Sequence, residues 1–203
     1  MWGCCEEGES QVDKFFANLW WVVVAGFALA IIVMALPDYA IAPGVTSAGV
    51  ATGVFQWLHV WFGIMWIGLL YYFNFVQVPT MPAIPAELKP GVSKYIAPKA
   101  LFYFRWAALL TVLAGLVLGY LYDELGDALM LRPGFRLIGI GMWLGLIMAF
   151  NVWAIIWPNQ KKVLGLVPAD DAAKAKAGKA ALIASRTNVL LSVPMLLCMT
   201  NFR

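Results

Sequence analysis

Five stretches of this chain are nearly unbroken apolar runs of about twenty residues, the length that crosses a bilayer as a helix. They lie at about 15–36, 51–78, 101–122, 137–157 and 181–200, with polar connections between them. Pro37 and Pro79 close the first two, since proline lacks an amide hydrogen and crowds the preceding turn. A polar tail, 1–14, precedes what reads as a single membrane domain, 15–203. From Ala169 to Ala184 alanine alternates with lysine, which predicts a helix that starts in water and flows into the last span. Gly115-x-x-x-Gly119 and Gly141-x-x-x-Gly145 read as helix-packing surfaces. The expected fold class is an all-α integral membrane protein with five transmembrane helices.

The second and fourth spans share a motif. Met65 to Asn74 and Met142 to Asn151 are identical at six of ten positions, the tryptophan, glycine and asparagine among them. In the helices that follow, Lys99 precedes Arg105 and Lys179 precedes Arg186 at similar spacing. Spans two to five are therefore expected to form a four-helix bundle of two repeated helical hairpins, with the first span as an addition.

Polarity in the second span is one-sided. Gln56, His59, Gly63, Trp66, Leu70, Asn74 and Gln77 recur at steps of three and four, so they share one helix face. Lipid cannot satisfy an imidazole or a carboxamide, and this face is expected to look into the bundle. His59 is the sole histidine. Neutral imidazole is a common axial ligand of haem iron, and an intramembrane histidine is equally a common packing residue. One expectation is haem b at His59, with Gly63 and Trp66 shaping its pocket. Haem iron is the metal a lone histidine admits, because zinc and copper sites of the usual type need several. Near the other end of the spans, Asn74, Arg105, Asn151 and Arg186 fall at one depth. They predict a site for an anionic group such as a carboxylate, a urate-like anion or a haem propionate. The alternative is arginines that snorkel to lipid phosphates and asparagines that bridge helices. No nucleophile, base and acid arrangement assigns a catalytic residue.

Composition agrees with the pattern and narrows the chemistry. The chain is 63% hydrophobic and 12% charged, with a mean hydropathy of +0.80; a soluble domain carries about a quarter charged residues. No aspartate or glutamate falls inside a span, so a carboxylate proton relay has no candidates. Cys4, Cys5 and Cys198 form neither a Cys-x-x-Cys-His attachment for c-type haem nor a disulfide framework, and they read as incidental thiols. The acidic tail, with Glu6, Glu7, Glu9 and Asp13, does not read as a cleaved signal peptide. Lys89, Lys94 and Lys99 in one connection, and Lys161, Lys162, Lys174, Lys176 and Lys179 in another, place both on the cytoplasmic side. That puts the N-terminus inside and the C-terminus outside. Trp20, Trp21, Trp153 and Trp157 sit at span ends as an interfacial belt. The expected partner is the lipid bilayer; no nucleic acid is expected.

Four stretches resemble the N-terminal membrane domain of bacterial membrane-bound urate hydroxylases, or urate oxidases: His59 to Pro79, Lys94 to Trp106, Asn151 to Lys161 and Ala184 to Met195. More distantly, His59, Trp66 and the pair Tyr71-Tyr72 resemble the opening helix of the membrane protoporphyrinogen oxidases, whose matching histidine is thought to ligate haem b. The resemblance implies the bacterial inner membrane. The resembling enzymes carry a C-terminal cytochrome c domain, which has no counterpart here, so the expectation is a stand-alone haem-b redox module. Such an oxidoreductase would need a separate cytochrome or quinone. Two other readings stay open: a non-catalytic assembly subunit of a larger membrane complex or oligomer, and a small-anion carrier or channel with Arg105 and Arg186 as selectors.

Overall fold

The computed structural model describes residues 16–34 and 47–201, and among these every regular element is helical. The polar tail, Cys4, Cys5 and Pro37 lie outside the described residues. The chain divides into two compact units, Met1–Val50 and Ala51–Arg203.

The first unit holds α1, Leu19–Met34. Asn18 sets its start, because the side-chain oxygen accepts from the Trp20 amide at 3.0 Å and satisfies a donor of the open first turn. The 16 residues of α1 rise roughly 24 Å, short of the roughly 30 Å of a hydrocarbon core.

Four longer helices follow that are apolar enough to cross a membrane: α2, Gly49–Ala83; α3, Lys89–Leu121; α5, Arg136–Val163; and α6, Asp171–Thr200. A short α4, Leu125–Leu129, lies between α3 and α5. The Asp170 carboxylate caps α6 by accepting from the Ala173 amide at 2.6 Å. From there α6 runs unbroken, as the alanine–lysine pattern predicts.

The expected stop at Pro79 does not occur: α2 continues to Ala83. The chain widens instead of breaking. π-helical turns at Tyr72–Gln77, Val92–Ile96 and Asn151–Ile156 each end two residues before a proline, namely Pro79, Pro98 and Pro158. The amide preceding each proline bonds five residues back, from Val78 to Phe73, Ala97 to Val92 and Trp157 to Val152. A wider turn lifts the earlier carbonyls off the pyrrolidine ring, so the helix passes through a residue that would otherwise kink or end it.

The core of the second unit is built on Trp66, Leu70, Phe104, Met148 and Val152, all essentially inaccessible. The repeated motif enters it out of step. Trp66 is buried, but its counterpart Trp143 is half exposed; Leu70 is buried, but its counterpart Ile147 is exposed. Burial at Ile67, Leu70, Phe73 and Asn74 corresponds instead to Gly145, Met148, Asn151 and Val152, one position further on. The shift accompanies a π turn that starts before Asn74 in one copy and at Asn151 in the other.

Candidate functional site

Most of the polar face of α2 looks toward other helices, with Gln56 exposed at its start. The Tyr122 hydroxyl donates to Gln56 Oε1 at 3.0 Å. His59 Nδ1 donates to the Thr111 carbonyl at 2.8 Å, since a carbonyl can only accept. Gly115 makes this possible. A Cβ there would stand 2.8 Å from both Cε1 and Nδ1 of His59 and 3.8 Å from Nε2. Because Gly115 lies one helical turn beyond Thr111, its bare backbone also leaves the Thr111 carbonyl open to the ring. Spacing alone marks Gly115 as a packing glycine; in the fold it is the seat of the histidine.

The residues expected to shape a haem pocket have other neighbours. A Cβ at Gly63 would touch the Thr111 methyl at 3.8 Å. Trp66 fills the core, 2% exposed, with Nε1 buried and unpartnered. The donor chemistry of His59 does fit haem iron. Nδ1 holds the proton on a backbone carbonyl, the usual outer partner of a ligating imidazole, and Nε2 has no hydrogen-bond partner among the described residues. Gly115→Ala is expected to displace the ring and destabilise the protein by about 1–3 kcal/mol, the usual range for overpacking. Thermal unfolding in detergent checks this against Gly68→Ala, where a Cβ meets open space.

The asparagines and arginines do not form one cluster. No hydrogen bond joins any two of Asn74, Arg105, Asn151 and Arg186. Asn74 donates to the Leu70 carbonyl at 2.9 Å and to Ser185 Oγ at 2.8 Å. Asn151 donates to Asn188 Oδ1, and Asn188 donates to the Met148 carbonyl, both at 2.9 Å. In both places a carboxamide bonds a carbonyl just ahead of a π turn. Asn188 is fully buried and carries half of the second pair. The arginines stay outside: Arg186 is exposed on α6, and the Arg105 guanidinium stacks 3.8 Å over Trp157 and 5.2 Å from Phe102. Common depth placed these four together in sequence; helix facing separates them. Trp153 donates Nε1 to the Arg105 carbonyl at 3.2 Å, so both tryptophans of this pair work within the bundle.

A cavity of about 290 Å³ opens at the lysine-bearing ends of the helices. All three proline-linked turns border it, through Gln77 and Val78, through Ala97 and through Ile156. Its polar groups are the carboxamides of Gln77 and Gln160 and the Ser185 hydroxyl. Gln77 Oε1 is buried without a partner, as is Oδ1 of Asn74 next to Ser185. π turns are frequent at functional sites. The three prolines beside the segments that border it were the available signal for this cavity, obscured by reading proline only as a stop.

Residues 127–202 match the family model described as urate oxidase N-terminal. This segment is similar to that domain. No curated protein and no solved structure matches the chain. The matched segment takes in the end of α4 and all of α5 and α6, and so includes Asn151, Arg186 and Asn188 together with the α5 and α6 walls of the cavity. His59, Gly63, Trp66, Asn74 and Arg105 precede it. The matched segment pairs through buried amides, and the residues that precede it contribute the histidine.

Proposed function

We propose that this module transfers electrons through haem b held by Nε2 of His59. The observation that carries the reading is the Nδ1 bond to the Thr111 carbonyl, which orients the ring and leaves Nε2 as a neutral donor. Haem b, when bound, supplies one-electron chemistry. Thr111 orients the imidazole, and Gly115 admits it between α2 and α3. His59, the single histidine in the chain, would be the residue that holds the group.

The lysine-rich connections support a cytoplasmic position for the cavity end in the bacterial inner membrane. His59 then lies in the outer half of α2, suited to exchange with an electron-accepting partner such as a cytochrome on that side. The test is the absorption spectrum of the purified protein. A Soret band is expected in the wild type and is expected to be lost in His59→Ala at unchanged helical content. A folded, haem-reconstituted preparation without the band contradicts the proposal.

A further inference from the structure

We propose that the cavity framed by the three proline-linked turns binds the ring of a membrane quinol. The argument starts from what the cavity lacks. No charged side chain lines it, so an ionic ligand would have no counter-charge in a low-dielectric site. Its polar groups are neutral: two carboxamides and a hydroxyl. One acceptor of the lining is left over: Gln77 Oε1 is buried with no donor. Asn74 Oδ1 is also unpartnered, but Asn74 does not line the cavity and reaches it only through its bond to Ser185. Buried acceptors without donors carry a desolvation cost, and a ligand bearing hydroxyl donors relieves it.

The remaining wall is apolar and aromatic. Phe73 and Phe104 meet edge to face at 5.7 Å between centroids and both border the cavity, offering ring surface to a planar guest. The volume suits one small ring system and not a larger cofactor. Leu182 belongs both to the cavity and to an open groove on the exposed face of α6, lined further by Ile183, Arg186, Thr187 and Leu190. The aliphatic side of that groove suits a guest that arrives from the bilayer with its hydrocarbon tail outside. The Gln160 amide and the Ser185 hydroxyl can donate to the same ring when it is oxidised. Quinone as an electron partner extends the haem reading, but the cavity argument uses none of the residues around His59.

The test is equilibrium binding of a radiolabelled decyl-benzoquinol under anaerobic, reducing conditions to the protein in nanodiscs, with no haem signal read. Saturable binding is expected, weakened at least about tenfold in Gln77→Leu, the scale of one lost buried hydrogen bond. Competition by a water-soluble cyclic amide such as uracil with no effect of the decyl-quinol, or undiminished quinol binding in Gln77→Leu, overturns the proposal. Should that variant not fold, an azido-quinone crosslinked to wild type decides the matter. Labelling of the Phe73–Met81 or Gly178–Ser185 peptides supports the site, and labelling confined to other peptides overturns it.

Discussion

Gly139→Ala will remove most of the folded protein from a detergent extract. A Cβ at this position runs into the backbone carbonyl of Ala128 and comes within 2.7 Å of Leu131 Cδ2. A side chain could rotate away from such a contact, but a peptide cannot. The opposing turn is also held in place. Leu131 already has φ of 53°, a left-handed conformation that a leucine rarely adopts. Arg132 bridges to Asp127 at 2.7 Å, and Trp143 donates Nε1 to the Leu129 carbonyl at 3.0 Å. Overpacking costs about 1–3 kcal/mol in forgiving sites and more where nothing yields; about 3 kcal/mol or more is expected here. Gly145→Ala is the control, since a Cβ there meets nothing within 4 Å. It is expected to be neutral, or to stabilise by the several tenths that alanine gains over glycine in a helix. Monodisperse yield and melting temperature separate the two.

Asn188→Leu is the second large effect. This residue is 0% exposed and joins α6 to α5 twice, accepting from Asn151 and donating to the Met148 carbonyl. Leucine fills a similar volume, so the loss is polar: the Asn151 amide is left in the core without its acceptor. Unmatched buried groups cost about 1–3 kcal/mol each, while hydrogen bonds between membrane helices average nearer 0.6 kcal/mol when measured by double-mutant cycles. A destabilisation of about 2 kcal/mol is expected. Asn151→Leu combined with Asn188→Leu should recover part of it, because removing both partners leaves fewer orphans. If the double variant is as unstable as the sum of the singles, the pair contributes nothing as a pair.

Much of this architecture was legible in residue order. Apolar length located the four long helices, and the alanine–lysine stretch correctly announced the approach to α6. Steps of three and four along α2 correctly placed His59, Trp66, Leu70 and Asn74 toward other helices, while Gln56 on the same face is exposed, because helical periodicity alone decides which residues share a face. What spacing along one chain could not supply was the partner across the gap. Gly115 and Thr111 shape the surroundings of His59, yet nothing in α3 marks them as facing it. Arg105 and Arg186 match the asparagines in depth but sit on other faces, a distinction invisible without the packing. The prolines misled for a physical reason. Their usual consequence is a stop or a kink, and a π turn two residues ahead cancels it, carrying Gln77 and Ile156 into the wall of a cavity. The same widened turns explain why the repeated motif, matched so well in sequence, is buried one position out of step.

The central claim is that His59 is the ligand that holds haem, and imidazole rescue tests it most directly. In His59→Gly, reconstituted with haem b, the Soret band is predicted to be absent or displaced, and added imidazole is predicted to restore the wild-type spectrum by occupying the vacated seat beside Gly115. A His59→Gly protein that binds haem with the wild-type spectrum, before any imidazole is added, would contradict the account.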